Sequence, residues 1–130
     1  MRIHHIAAIA ALVILSACAS TKPLRSDPNA TREQICENVA MRKLASGPAR
    51  EEAIELARER GYVREDAVDL IRANKVAIGM NTCEVLAAWG TPVGTETYGK
   101  KTTYWYRVRG RATNTVRFDA EGRVHSISVP

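Results

Sequence analysis

The sequence predicts an α+β domain in which N-terminal helices pack on a three-stranded antiparallel β-meander. Two patterns along the chain support this fold class. Between residues 31 and 90, apolar residues recur at the helical period and capping residues bound each segment. Between residues 102 and 129, the period changes to two, with aromatic and β-branched residues separated by short turns. A three-stranded sheet needs cover on one face, so we expect the helices to lie there.

The first two helices are predicted from their ends. Thr31 and Gln34 have the spacing of a capping box, which begins the first helix. A Ser-Gly-Pro break ends it, and Pro48 suits the first position of the second helix. That helix has acidic residues in its first turn and basic residues in its last, and Gly61 follows its end. The expected inner residues of the two helices are Ile35, Val39, Leu44, Ala53, Ile54, Leu56 and Ala57.

Two more helices are predicted before the sheet. One covers about residues 64–73, and Asn74 can adopt the left-handed conformation after its end. The other begins at Asn81, which forms a capping box with Glu84. Gly90 ends it, because Pro92 prevents continuation. Its expected buried side consists of Val85, Leu86 and Trp89.

Three strands follow, at 102–108, 113–118 and 124–129. Short turns join them, so consecutive strands are expected to be antiparallel neighbours. Alternation places Trp105 on the face opposite to Tyr104 and Tyr106. We nevertheless expect Trp105, together with Phe118, to fill the space between helix and sheet.

The N-terminal segment 1–17 has the layout of an export signal. A short start with Arg2 precedes the apolar run 6–15, which is too short to span a bilayer, since spanning needs ~20 residues. Residues 15–18, Leu-Ser-Ala-Cys, resemble the lipobox of bacterial lipoproteins. The alternative is an ordinary signal peptide cut near Cys18, with this cysteine incidental.

The lipobox resemblance implies that Cys18 becomes the N-terminus and carries a diacylglycerol and a third acyl chain such as palmitate. Ala19, where an aspartate would retain the protein, then implies sorting to the outer membrane, facing the periplasm. Residues 18–30 contain two prolines and little that could pack, so they predict a flexible tether of at most ~40 Å.

If Cys18 is acylated, Cys36 and Cys83 remain, and an even pair in an oxidising compartment suggests a disulfide. The bond would close a loop of 48 residues, counted from 36 to 83 inclusive. Such a loop would stabilise the domain by ~3–4 kcal/mol in the chain-entropy model. Two alternatives stay open, a pair of buried thiols and a reactive Cys83 near a helix N-terminus.

The positive charge is concentrated near the C-terminus. Residues 31–75 hold nine basic and nine acidic side chains, whereas residues 100–123 hold seven basic ones against two acidic ones. The candidate interaction surface consists of Lys100, Lys101, Arg107, Arg109 and Arg111. Export would remove nucleic acid as a partner, which leaves anionic lipid headgroups, cell-wall polymers or an acidic protein face. The alternative is a solvated strand face without a partner.

An ordered pattern of glycine, capping, apolar and aromatic positions runs through residues 76–130. It consists of Gly79-Met80, Asn81, Val85, Gly90-Thr91-Pro92, Gly99, Trp105-Tyr106, Phe118, Gly122 and Val124. This pattern resembles that of the SmpA/OmlA family of bacterial outer-membrane lipoproteins, which includes the BamE subunit of the β-barrel assembly machinery. The resemblance implies an ααβββ core with extra N-terminal helices, in which 31–75 form a helical extension and the first core helix. Cys36 and Cys83 lie outside the family pattern.

No catalytic constellation is visible in the sequence. His125 is the one histidine after residue 17, and no cluster has zinc-ligand spacing, phosphate-loop glycines or a nucleophile motif. The acidic residues of the second helix predict a solvated, ion-paired face. We therefore expect a non-enzymatic, membrane-anchored domain without cofactor, metal, nucleic acid or small-molecule substrate. It would dock onto envelope proteins, in particular the outer-membrane assembly machinery, or alternatively bind anionic envelope lipid or wall polymer.

Overall fold

Helices precede a sheet in this computed structural model, which describes residues 23–44, 47–108 and 113–130. The α-helices are α1 (Arg32–Arg42), α2 (Pro48–Glu59), α3 (Val68–Arg72) and α4 (Thr82–Trp89), with 3-10 turns at Leu24–Ser26 and Glu65–Ala67. The strands are β1 (Gly94–Tyr98), β2 (Lys101–Arg107), β3 (Thr113–Phe118) and β4 (Val124–Ser128). They form one antiparallel sheet in the order β1-β2-β3-β4. The predicted α+β class is confirmed.

The sheet has four strands rather than the predicted three, and the additional strand is β1. Nearly every residue of β1 is exposed, so this edge strand carries no apolar alternation that the sequence could show. It pairs with β2 in a register that runs from Gly94 opposite Trp105 to Tyr98 opposite Lys101. Gly99 begins the connecting turn at φ 63°, a conformation that glycine adopts without strain.

Both predicted capping boxes are present. The backbone N–H of Thr31 donates to Gln34 Oε1 at 2.8 Å, and the Gln34 N–H donates to Thr31 Oγ1 at 3.2 Å. The equivalent reciprocal pair joins Asn81 and Glu84, with both bonds at 2.9 Å. One expectation for α1 is wrong: Leu44 is 92% exposed rather than inward-facing, because α1 ends at Arg42.

The third predicted helix is shorter than expected. It begins as the 3-10 turn Glu65–Ala67 and becomes α-helical only over Val68–Arg72. Asn74 follows at φ 56°, which confirms the predicted left-handed residue. The start is shifted because the backbone N–H and side chain of Arg64 both bind Glu84, which holds this residue extended.

Glu84 is a fully buried carboxylate whose oxygens accept four hydrogen bonds. Oε1 accepts from the backbone N–H and the Nε–H of Arg64, at 2.9 and 3.0 Å. Oε2 accepts from Arg64 Nη2 at 3.1 Å and from the Asn81 backbone N–H at 2.9 Å. The Glu84 carboxylate, in turn, raises the pKa of the Arg64 guanidinium. The loop before α3 is therefore fastened to the first turn of α4 by one side chain.

The core lies between the helices and one face of the sheet. The strand residues that enter it are Tyr104, Tyr106, Val116, Phe118, Val124 and Ile127. Tyr104 contacts Phe118 and Tyr106 edge-on, and Tyr106 contacts Trp89 of α4 in the same way. The Tyr106 hydroxyl donates to the carbonyl of Gly90 at 3.0 Å, and burial raises the pKa of both tyrosines. This aromatic row holds the sheet on α4.

Cys36 of α1 and Cys83 of α4 lie at bonding distance, with their Cα atoms 5.1 Å apart. Both residues are buried, at 2% and 0% exposure. The pairing is the predicted one, and it leaves neither sulfur placed as an accessible nucleophile. The pair thus ties α1 directly to α4.

The predicted tether is not free along its whole length. Residues 23–30 lie against the helices, since Leu24 packs on the core and Ala30 is buried. Arg25 pairs with Glu59 at 3.2 Å, and Arg60 donates to the Asp27 carbonyl at 3.1 Å. The earlier residues of the tether and the predicted signal at 1–17 lie outside the described residues.

Replacing Glu84 by Gln should destabilise the domain by about 2 kcal/mol. The N–H donors of Arg64 and Asn81 would then meet a neutral amide, which can accept hydrogen bonds on its oxygen only. The midpoint of urea unfolding measures this loss. Glu65→Gln is the matched control, since Glu65 pairs with Arg58 at 78% exposure and should contribute below ~1 kcal/mol. Equal losses in the two variants would contradict this account of Glu84.

Reduction of the Cys36–Cys83 pair should lower the melting temperature, since the bond constrains the unfolded chain by ~3–4 kcal/mol. Thermal unfolding with and without reductant measures the shift. The double variant Cys36→Ala/Cys83→Ala should melt at a temperature that reductant does not change. An identical melt of the wild-type protein under both conditions would show that no bond forms.

Candidate functional site

The sheet has a second face that no described element covers. Residues opposite one another in neighbouring strands share a face, so the register divides the sheet into two sets. We call the set turned away from the helices the outer face. It comprises Gly94, Glu96, Tyr98, Lys101, Thr103, Trp105, Arg107, Thr113, Thr115, Arg117, Ser126 and Ser128. The outer face spans all four strands.

Trp105 lies near the centre of the outer face. It stands opposite Gly94 on one side and Thr115 on the other, out of phase with the buried Tyr106. The predicted alternation is confirmed, but the expectation that Trp105 fills the space between helix and sheet is wrong. Phe118, which was expected in the same space, is 1% exposed and lies there. An indole on the solvent side of a sheet is available for contact with another molecule.

Gly94 sets the position of the indole ring. A Cβ atom at Gly94 would lie 3.1 Å from Cε3 of Trp105, which is tighter than ordinary van der Waals contact. The ring therefore covers the bare backbone of the edge strand, an arrangement in which an aromatic side chain compensates for a glycine on the neighbouring strand. A larger residue at position 94 would displace the indole.

Three basic side chains and one acidic side chain, Glu96, share this face with Trp105. Lys101 and Arg107 mark the two ends of β2, about 20 Å apart. Arg117 lies on β3, opposite Thr103. None of the ion pairs formed between described residues includes any of these three. Their charges are directed at solvent, where an acidic ligand could meet them.

The charges of the helical half are arranged differently. Arg58 binds both Glu55 and Glu65, and Arg72 binds Glu51. This is the ion-paired face that the sequence predicts. Several charges of the helical half are therefore compensated by neighbouring side chains.

The structure brings together only part of the predicted interaction surface. Lys101 and Arg107 lie on the outer face, and Lys100 is exposed in the adjacent β1–β2 turn. Arg109 and Arg111 lie outside the described residues. Sequence reasoning omitted Arg117 and misplaced Trp105. The buried Val116 and Phe118 on either side of Arg117 are the signal that could have placed its side chain outward.

The described part of the chain also bears on three other features, namely metal ligands, the histidine and membrane-spanning helices. It contains no group of three His, Cys, Asp or Glu side chains that could hold a metal ion. His125 is exposed on β4, apart from the buried polar network. Within residues 23–44, 47–108 and 113–130, no helix combines the length and the hydropathy needed to cross a membrane.

Comparisons of the chain with models of known families, with curated proteins and with solved structures found no match. The resemblance to the SmpA/OmlA family therefore stays a prediction from sequence. The functional argument consequently starts from the outer face itself.

Phe118→Ala should destabilise the domain by about 3–5 kcal/mol, because it empties a position buried in the core. Trp105→Ala should cost only about 1 kcal/mol, the scale of a cross-strand contact on an exposed sheet face. Urea unfolding of both variants measures the difference. Similar losses would place Trp105 in the core and would contradict its assignment to a free surface.

Proposed function

We propose that this chain is a non-enzymatic lipoprotein, anchored through Cys18, whose domain docks onto another envelope protein and supports outer-membrane assembly or envelope integrity. The observation that supports the docking role is the outer face, where Trp105 shares the sheet with three basic side chains that join none of the ion pairs between described residues. The lipobox at residues 15–18 supports the anchor, and the family resemblance supports the location.

The composition of the outer face suits a protein interface that forms and dissociates. Tryptophan and arginine are the residues most enriched among those that dominate binding energy. The remaining positions are mainly threonine and serine, which can form hydrogen bonds at a rim and remain soluble when free. Lys101, Arg107 and Arg117 favour a partner with acidic side chains, because charge complementarity speeds and orients association.

The outer face is also preorganised. Its strands are fixed from behind by the aromatic row of Tyr104, Tyr106 and Phe118, and Tyr106 is hydrogen-bonded to the end of α4. A surface held rigid by a packed core loses little conformational entropy on binding. Docking can therefore use the side chains in the arrangement that the free domain already has.

A second candidate is binding of an anionic envelope lipid or wall polymer. The same three basic residues favour it, since polyanions bind through such charges with strong dependence on salt. The indole of Trp105 is the observation that favours protein instead, because a charge-driven surface does not require a central aromatic ring.

A photo-crosslinking residue at Thr115, beside Trp105, should capture a discrete envelope protein when the acylated chain is expressed in its own membrane. The same group at Ala120, in the exposed turn after β3, is the control and should give little of this product. Trp105→Ala should reduce the Thr115 product at least about tenfold, the effect expected when a dominant interface residue is removed. Mass spectrometry of the products identifies the captured species.

Two results would overturn the docking proposal. One is a Thr115 product that contains only phospholipid or polymer and that weakens as salt rises, which would support the second candidate. The other is a protein product whose yield is unaffected by Trp105→Ala. Acyl mass at Cys18, measured on the same membranes, tests the anchor separately.

A further inference from the structure

The C-terminal end of α1 exposes apolar side chains at a second place, away from the sheet. Met41 is 67% exposed and Leu44 is 92% exposed. They border a shallow cavity of about 440 Å³ whose other wall is Trp89, Gly90 and Thr91 at the end of α4. We call residues 41–44 the α1 end. Two large apolar side chains one turn apart form a patch that water covers unfavourably.

Basic residues alternate with these apolar ones. Arg42 and Lys43 take part in none of the ion pairs between described residues. The aliphatic part of Lys43 lies over Gly90, where a Cβ atom would be 3.2 Å from the lysine Cδ. Partial burial and the neighbouring Arg50 lower the pKa of Lys43, so an approaching anion would relieve this repulsion. The α1 end therefore combines apolar contact area with attraction for negative charge.

The N-terminal part of the described chain emerges beside the same helix end. Pro23, Leu24 and Arg25 line a second cavity, of about 300 Å³, together with Asn38 and Arg42 of α1. Leu24 packs on the core and Arg25 pairs with Glu59, so the point where the chain leaves the domain is fixed. Four residues lie between Cys18 and Pro23, and the five Cα-to-Cα steps that join the two reach at most ~18 Å.

We propose that the α1 end is the surface with which this domain rests on the bilayer that holds the acyl chains of Cys18. Met41 and Leu44 enter the boundary between headgroups and acyl chains, while Arg42 and Lys43 face phosphate groups. The inference rests on the proposed function, because the lipid anchor is what brings the α1 end to the membrane.

A short anchor makes a small contact of this kind sufficient. Two apolar side chains and two cations would bind a bilayer weakly from solution, whereas the tether converts their binding into an intramolecular step at high effective concentration. The contact then orients the domain rather than retaining it. The outer face of the sheet, on the far side of the sheet from the helices, is left accessible to a partner.

The test uses the acylated mature protein in vesicles of phosphatidylethanolamine and phosphatidylglycerol whose acyl chains carry bromine, which quenches tryptophan on contact. Leu44→Trp places the reporter at the α1 end, and Ala120→Trp is the matched control. The two reporter positions lie near opposite ends of α4. Arg123, just after the turn that contains Ala120, forms a β-bridge with Asn81 at the start of α4. The α1 end lies against the C-terminal end of α4, about 12 Å along the helix. Trp89 and Trp105 contribute equally to both variants.

Leu44→Trp should be quenched more strongly than Ala120→Trp, and its emission should shift to shorter wavelength when the protein is reconstituted. Both variants should melt like the wild type, because both positions are exposed. Equal quenching in vesicles would overturn the inference, as would a blue shift without quenching that accompanies dimer formation.

Mass spectrometry of Cys18 distinguishes failure of the membrane contact from failure of the lipid anchor. Acylated protein with equal quenching refutes the membrane contact of the α1 end and leaves the proposed function intact. Protein recovered from its native membranes without an acyl group refutes the anchor, and with it the reason to place the α1 end at a bilayer.

Discussion

The buried carboxylate of Glu84 is the constraint on which the arrangement of helices depends. A charge without solvent is costly unless hydrogen bonds compensate it, and here four donors do so, three from Arg64 and one from Asn81. These donors come from two separate loops. The carboxylate can therefore be satisfied only when the loop before α3 and the start of α4 have reached their final positions. A group with this requirement selects one packing of the helices over alternatives of similar hydrophobic content.

α4 connects α1, the loop before α3 and the sheet, although it has only eight residues. Cys83 joins it to α1, Glu84 joins it to the loop before α3, and Gly90 receives the hydroxyl of Tyr106 from the sheet. Both proposed surfaces are positioned by this helix, the α1 end directly and the outer face through the aromatic row. The positions of the two surfaces relative to each other are therefore fixed. Helices attached loosely to the rest of the domain would not fix them.

Hydrogen bonds between residues close in the sequence make most of the helical half predictable. The reciprocal hydrogen bonds of Thr31 with Gln34 and of Asn81 with Glu84 depend only on residues three apart, and both are present. Capping spacing could not reveal that Arg64 would supply the other donors to Glu84, since that contact joins residues twenty positions apart. β1 was missed because an exposed edge strand shows no apolar period. Trp105 lies on the outer face rather than in the core, because successive residues of β2 point to opposite faces and the neighbouring Tyr106 is buried.

In an exported chain, the Cys36–Cys83 bond would give the domain two stabilities in succession, one before oxidation and one after it. A reducing cytoplasm would keep both thiols free, so a newly made chain would lack the cross-link between α1 and α4. Secretion machinery that threads unfolded polypeptide would then meet a substrate held together by noncovalent contacts alone. Oxidation after translocation would close the loop and stabilise the folded domain by ~3–4 kcal/mol. In an exported chain the pair would therefore act as a maturation step that fastens the helical extension only once the protein has reached its destination.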